Sequence, residues 1–529
     1  MAERLMGIET EYAISARYSS RISREVLVTN LIEIARATLV HLPDAGSGMF
    51  LGNGSRFYVD YGNHPELSTP ECANPWDVVR YTLAGESILA AVAREMELRV
   101  PDTTVMLFKS NVDYGGSMVT WGCHESYLHR AEPCFLSDDV IPHLVTRVIY
   151  TGAGGFNSLS HGLEFTLSPR VPHLANVESN NSTSDRGIFH TKDESLSKPG
   201  FHRLHIICGE SLSSETSMWL KAGTTALVVA MAEAGLKPGD GVELLAPLQA
   251  MQTIANDQSC TASVELVDGR CLSAIEIQYH YLTLAEENLG HALMPPWAEQ
   301  VCHEWRAMLN RVLDAPESLA TTLDWTIKQA LYSSHARARG VDWDMLPRWT
   351  PVLSTLRYAH DISASYQERL TADLILNRRS PLRDTVRSLT PGLDQSGLTW
   401  DSLDSVLTLR KELFEIDTRF GELSGQGLFA EMEKAGVLTH HFPGVDAIEY
   451  ATTHPPVVGR ARVRGEAIQR LAAQGGAYRC DWQGVTDLRD HRLLDLSDPY
   501  ETVALWVKPI QASGDLAPLG ATYADPFLP

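Results

Sequence analysis

The 529-residue sequence is short of the features that mark several common protein classes, and each shortage removes one of them. No window approaches the roughly 18 uninterrupted apolar residues of a membrane span. The N-terminal MAERLMGIETEY is charged at once and lacks the apolar core of a leader peptide, so a cytoplasmic protein is expected. Cysteine is sparse, eight in all, without CxxC pairs or zinc-finger spacing, and a chain of this length needs no disulfide staples. Most of these thiols are expected reduced and buried. Basic charge is also short: 44 Lys+Arg stand against 66 Asp+Glu, for a formal charge of −22. Such a surface repels polyanions, which disfavours nucleic acid and acidic membranes as partners and favours a basic partner or acceptor. A G-x-S-x-G elbow, an H-E-x-x-H pair and a Rossmann fingerprint are all missing, lowering the serine hydrolase, zincin and dehydrogenase readings. Gly152-Ala-Gly-Gly155 lacks the P-loop pattern and is weak evidence for a phosphate site.

What remains is an ordinary globular composition, 44% hydrophobic and 21% charged, with no low-complexity run, like-charge block or internal repeat. The length exceeds what one core normally supports, so a large catalytic domain over residues 1–424 and a smaller one over 425–529 are expected. Period-2 and period-3.6 patterns predict strands at Gly7–Ile14, Arg56–Tyr61, Thr104–Lys109, Leu163–Leu167 and Leu204–Ile207. They predict helices at about Glu25–His41, Trp76–Leu98 (opened by Asn74-Pro75) and Glu215–Ala234. From Pro295 to Leu423 the pattern is mostly helical, with Trp305, Trp325, Tyr332 and Trp343 as packing residues. The C-terminal part adds an alternating Arg460-Ala-Arg-Val-Arg464, read as a strand face, then Tyr478–Trp482 and Thr502–Val507. The expected class is α+β, with an antiparallel sheet carrying chemistry on one face.

Alternation along a strand puts Glu9 and Glu11 on one face. Two adjacent carboxylates repel, and Mg²⁺ is a usual remedy; an ordinary solvated edge strand is the alternative. The same parity aligns Arg56, Tyr58 and Asp60, followed on a loop by His64, Glu66 and Thr69. Arginine suits a phosphate, a glutamate suits Mg²⁺ and an aspartate suits proton abstraction, although a salt-bridged sheet surface would look alike. GCHESYL adds His124 and Glu125, and His190–His205 adds Lys192, Arg203 and His205. Arg460, Arg462 and Arg464 could serve a phosphate or a carboxylate, or line a solvated face.

At these residues the chain resembles a known family, the Pup ligases (proteasome accessory factor A) and their relatives the depupylases, built on the glutamine-synthetase-like fold of carboxylate–amine ligases. The resemblance runs nearly end to end. MGIETEY, NGSRFYVDYGNHPELSTPEC, GCHESYL, TRVIYTGAG, FTLSPR, LKAGTTALV, VDGRCLSAIEIQ, RARVRG and CDW carry it. It implies an antiparallel cradle and a small α+β C-terminal domain. Carried over by position, it makes Glu9, Tyr58 and Glu66 the Mg²⁺ ligands, Arg56 and Thr69 contacts to ATP, Asp60 the proton acceptor, and Trp482 a contact to the nucleotide. The implied reaction phosphorylates the γ-carboxylate of a C-terminal glutamate on a Pup-like modifier, which a lysine of an acceptor protein then attacks to form an isopeptide bond, linking the chain to the proteasome pathway. Only about fifty residues separate GIETEY from YVDYGNHPE, leaving no room for the loop that depupylases share there, and the ligase branch is favoured. Depupylation or deamidation on the same fold, ligation of a non-Pup peptide or small amine, and a silent nucleotide-binding relative are the alternatives. Two departures stand out: His190-Thr-Lys-Asp-Glu-Ser195 where the family reads Asn-Thr-Arg-Asp-Glu-Pro, and Ala13 where it commonly has Gly. Lysine cannot reproduce arginine's forked recognition of a phosphate or carboxylate.

Overall fold

A computed structural model describes residues 4–17, 23–60, 62–100, 102–133, 136–160, 162–181, 183–350, 353 and 400–507. Its centre is a nine-stranded sheet. In chain order the strands are β1 (Met6–Glu11), β2 (His41–Pro43), β3 (Met49–Leu51), β4 (Arg56–Val59), β5 (Pro65–Ser68), β6 (Cys123–His129), β7 (Asn176–Ser179), β8 (Gly187–His190) and β9 (His202–Ile206). In space they run β7-β8-β9-β6-β1-β5-β4-β3-β2. Every pairing is antiparallel except β7 with β8.

One face of this sheet is packed. Phe57 and Leu67, 0% and 2% exposed, meet Leu89, Val92 and Met96 of the long helix Pro75–Arg99. Burying each such side chain contributes about 1.5–3 kcal/mol. The helix starts where Asn74 accepts the Asp77 N–H at 2.8 Å, with Pro75 in the first turn. Gly85 sits in its middle, where glycine ordinarily costs about 1 kcal/mol. A Cβ there would lie 2.6 Å from Leu67 Cδ2, so glycine sets how closely helix and sheet approach. A second helix, Glu215–Glu233, is buried nearly all round and anchors the larger core with Trp219, Trp305 and Trp325. Trp343 is half-buried at the edge of the same core.

Several elements end elsewhere than their patterns suggest. The first strand stops at Glu11, and Ala13–Arg17 pairs with Thr104–Phe108 in a separate two-stranded sheet. The helix beginning near Glu25 closes at Thr38, because His41 joins β2. The strand opened by Arg56 ends at Val59, so Asp60 stands just beyond it, and Tyr61 lies outside the described residues. Phe165–Thr166 is all that remains of the strand predicted at Leu163–Leu167. The helical region after Pro295 contains Ala298–Asp314, Asp324–Ala338 and Trp400–Phe420, while its stretch at 354–399 lies outside the described residues.

The RARVR segment is not a strand but the start of a helix, Gly459–Gln474. Arg460 and Arg464 are four residues apart and share one helical side, and the apolar series Ala461, Ile468, Leu471 continues at helical spacing. This helix and a four-stranded sheet (Tyr478–Asp481, Gly484–Asp487, Arg492–Asp495, Trp506–Val507) pack on Leu42 and Phe50 of β2 and β3 through Ile468, Leu471, Cys480, Val485 and Leu494. Among the described residues, seven cysteines are free and all but Cys271 are buried, and no helix is long and apolar enough to cross a membrane.

Candidate active site

Register decides which side chains share the open face. Glu9 pairs with Ser68 on one side and His124 on the other, Glu11 with Glu66, and Tyr58 with Glu66. Arg56 pairs with Ser68, Arg203 with Leu128, and His205 with Ser126 and His190. Residues opposite one another across a ladder project to the same side. Arg56, Tyr58, Glu66, Glu9, Glu11, His124, His205, Arg203 and His190 therefore form one polar surface over five adjacent strands and β8. Glu125 does not belong to it. One residue on from His124, it projects into the packed side, where Arg147 Nη1 donates to it at 2.8 Å and the Tyr127 hydroxyl at 2.7 Å. Its place in the cleft is corrected: it is a buried, fully paired core carboxylate.

The centre of the face is crowded with acids. The Tyr58 hydroxyl donates to Glu9 Oε1, Ser68 Oγ donates to the same oxygen at 3.2 Å, and His124 Nδ1 lies 3.4 Å from Glu9 Oε2. Burial alone would raise the Glu9 carboxyl, but hydrogen bonding and charge from His124, with charge from His205, hold it well below the usual range. Glu66, 4% exposed, goes the other way: burial and the charges of Glu9 and Glu11 push it well above the carboxylate range. Burial, Glu9 and Glu66 likewise raise the Tyr58 phenol. A cluster of acids that raise one another's pKa is a donor set suited to a hard divalent cation, whose charge relieves that repulsion. Glu9, Tyr58 and Glu66 fit Mg²⁺ on this ground.

Beside it lies a second group, Glu11, Asp60 and His64, whose donor atoms fall within 4.8 Å of one another. Asp60 sits in a tight turn closed by Asn63 with φ +57°; its N–H donates to His64 O at 3.1 Å, and its Oδ1 accepts the His64 N–H at 2.6 Å. His64 Nδ1 lies 3.2 Å from Asp60 Oδ2 and 3.3 Å from Glu11 Oε2. Although burial works against it, these two carboxylates raise the His64 pKa above its ordinary value. Burial is also outweighed at Glu11, which His64, His124 and the Gly122 N–H hold at about 2.

A cavity of about 180 Å³ opens on the other side of Glu9. Arg56, Thr69, Glu71, Arg203, Arg460 and Trp482 line it. Arg203 Nε is buried there without a hydrogen-bond partner. Three guanidinium groups and an indole around one concavity suit an anionic ligand with an aromatic ring, and the orphaned donor of Arg203 fits a phosphate. Thr69 Oγ1 faces this space after accepting the Ile8 N–H at 3.1 Å. Arg56 stacks 4.1 Å over the Tyr58 ring and is clamped by Asp44 Oδ2 at 2.6 and 3.1 Å. Asp44 is positioned in turn by the N–H groups of Gly46 and Gly48, at 2.7 and 3.0 Å. A Cβ on Gly48 would come within 2.7 Å of Tyr58 Cβ. Glu71 accepts from Arg460 Nε at 2.6 Å and from both terminal nitrogens of Arg464. Against the burial penalty, Arg464 and Arg460 keep its carboxyl at about 2. Arg464 lies 4.8 Å from the Trp482 ring, which meets Phe50 edge-on at 5.0 Å.

The model of the Pup-ligase protein family matches residues 4–379 and 393–486. The chain belongs to the Pup-ligase family. The matched stretches hold every cavity residue named above. A Pup–protein ligase of Pseudarthrobacter chlorophenolicus is 31% identical over 518 residues, 95% of this chain and 97% of the relative. The fold is that of the Pup ligase PafA in its crystal complex with Pup, with a TM-score of 0.71, 24% identity, and coverage of 95% of this chain and 90% of that one. PafA in complex with ADP superposes with a TM-score of 0.65 at 24% identity, covering 93% and 94%.

Within this member of the family, the structure gathers Glu9, Glu11, Arg56, Tyr58, Asp60, His64, Glu66, Thr69, His124, Arg203, His205 and Trp482 around one face and its cavity. Lys192 does not line the cavity; its ammonium lies 3.1 Å from Glu194, and its N–H donates to His190 Nδ1 at 3.2 Å. Sequence reasoning missed Asp44, Glu71 and the placement of Arg460. The Asp44-x-Gly46-x-Gly48 spacing is a legible sign of a carboxylate capping a turn. Nothing local connects Glu71 to arginines nearly four hundred residues on.

Proposed function

We propose that this chain is an ATP-dependent ligase that joins the C-terminal glutamate of a Pup-like modifier to lysines of acceptor proteins in the cytoplasm. The observation that carries it is the single face on which a repelling carboxylate cluster, an arginine-lined cavity and Asp60 lie side by side in a Pup-ligase family member. Residues 1–424 act as a glutamine-synthetase-like catalytic domain whose antiparallel sheet is the cradle. Residues 425–529 act as a smaller domain that walls the nucleotide site through Arg460 and Trp482.

Glu9, Tyr58 and Glu66 would hold Mg²⁺, which when bound would supply charge compensation for a phosphoryl group. Arg56, fixed by Asp44, and Arg203, with its free Nε, orient the phosphates; Thr69 and Trp482 contact the nucleotide. The glutamate γ-carboxylate attacks the γ-phosphorus and releases ADP. The lysine nitrogen then attacks the acyl carbon and expels phosphate. A lysine ammonium, with a reference pKa of about 10.4, is almost entirely unreactive near neutrality. Asp60, held by the His64 N–H at the edge of the cluster, accepts its proton. His124 and His205 keep Glu9 ionised.

Incubation with ATP, Mg²⁺, a Pup peptide ending in Glu and a lysine-bearing acceptor is expected to yield ADP, phosphate and a conjugate heavier by the peptide less one water. Cleavage of a preformed conjugate without net ATP turnover, and no conjugate formed, would replace this reading with a hydrolase.

A further inference from the structure

Away from the cavity, where the helix Glu215–Glu233 begins, a second group of ligating side chains converges. Among the described residues, the donor atoms of Glu215, His440 and His441 lie within 4.8 Å of one another. Glu433, from the helix Leu428–Lys434, places Oε1 3.3 Å from His440 Nε2 and 3.4 Å from His441 Nε2. None of the four lines the cavity described above. A tetrahedral Zn²⁺ with donors at about 2.0–2.1 Å sets adjacent donors about 3.3–3.4 Å apart. Those are the two Glu433 spacings.

A second observation concerns His440. It is 2% exposed, yet neither ring nitrogen makes a hydrogen bond. Buried imidazole nitrogens normally find partners; Nε2 has only the Glu433 carboxylate at 3.3 Å, without a hydrogen bond, and a ligand on that nitrogen would satisfy it. The backbone of His440 is pinned by Thr216, whose N–H and Oγ1 both donate to its carbonyl, at 3.0 and 2.9 Å, so the ring is held in place by its own chain. His441 supplies the third element. Its Nδ1 lies 2.9 Å from Glu215 Oε1, and Glu215 Oε2 accepts the Phe442 N–H at 2.8 Å. A carboxylate on Nδ1 keeps the proton there and leaves Nε2 free, the arrangement in which metal-binding histidines are oriented.

We propose that His440 Nε2, His441 Nε2 and Glu433 Oε1 bind a divalent transition-metal ion, Zn²⁺ by donor type, with Glu215 orienting His441 and a fourth position open to water. The ion fastens residues 433–441 to the start of the helix Glu215–Glu233. It is distinct from the Mg²⁺ set, which is built of oxygens.

The test uses the full chain, freed of metal with a chelator and then given ADP and excess Mg²⁺ so that the catalytic face is occupied. Zn²⁺ titrated calorimetrically is expected to bind at one ion per chain. His441→Ala, at a side chain 63% exposed and so tolerant of change, is expected to weaken that binding by more than about 100-fold, and Glu215→Gln by about 10- to 100-fold. His441→Cys, which restores a ligand, is expected to recover it. Co²⁺ is expected to give a visible absorption band in the native chain that His441→Ala and Glu433→Gln abolish. Equal Zn²⁺ stoichiometry and affinity in the native chain and His441→Ala, with equal Co²⁺ spectra, would overturn the proposal. So would a native chain that takes up no Zn²⁺.

Discussion

Replacing Glu71 with glutamine keeps the shape of the side chain and removes its charge, leaving Arg464 and Arg460, 0% and 4% exposed, paired only with a neutral amide. Breaking a buried ion pair by neutralising one partner costs about 3–5 kcal/mol. A second route gives a similar figure: a carboxyl held at about 2 rather than its ordinary 4.5 corresponds to about 3 kcal/mol of stabilisation at neutral pH. Because the folded pKa is depressed, that stability is fully present above about pH 4.5 and is lost as pH falls toward 2. The cost falls on the seam between Glu71 and the helix Gly459–Gln474, so that helix is expected to open locally rather than the whole chain to unfold. At 1.36 kcal/mol per tenfold, its amide hydrogen exchange should quicken by about two to three and a half powers of ten in Glu71→Gln at pH 7. The helix Pro75–Arg99, in a different core, should be unchanged. The apparent KM for ATP should rise too, since Arg460 and Trp482 wall the cavity. Protection of the helix Gly459–Gln474 within tenfold of the native chain would refute the argument.

Asp60→Asn is expected to lower conjugate formation by about 10²–10⁴-fold, with nucleotide affinity nearly intact; an equal loss of ATP binding would show that the residue shapes the cavity instead. Asp44→Ala removes both hydrogen bonds that clamp Arg56 and the acceptor of the Gly46 and Gly48 N–H groups, so the KM for ATP should rise by about tenfold or more and the melting temperature should fall. Because burial and its acidic neighbours raise the Glu66 carboxyl above the usual range, Mg²⁺ binding should release protons and tighten as pH rises. Calorimetry in buffers of different ionisation enthalpy reads this release, and Glu66→Gln should abolish it.

The helices were legible because an apolar series of fifteen or more residues has a clear period, and Asn74-Pro75 marks a start without help from the fold. The acidic face was legible for a related reason: parity alone places Glu9 with Glu11 and Arg56 with Tyr58. In GCHESYL, His124 and Glu125 read as one polar cluster, yet neighbours on a strand point to opposite faces, and Glu125 turns into the core. RARVR alternates over only five residues, a length at which strand and helix patterns coincide, and the apolar series that breaks the tie lies after it. Trp482 came from likeness to relatives, because a residue completing a site from far along the chain leaves no local signature.

The lining of the cavity carries a consequence for synthesis. It is lined both by residues near position 9 and by Arg460, Trp482 and Pro499. A ribosome that has extruded the first four hundred residues has released the whole acidic face but no enclosed pocket. The cavity is therefore closed only once residues 460–499 have joined the fold, and a chain ending near residue 400 carries the acidic face without that lining.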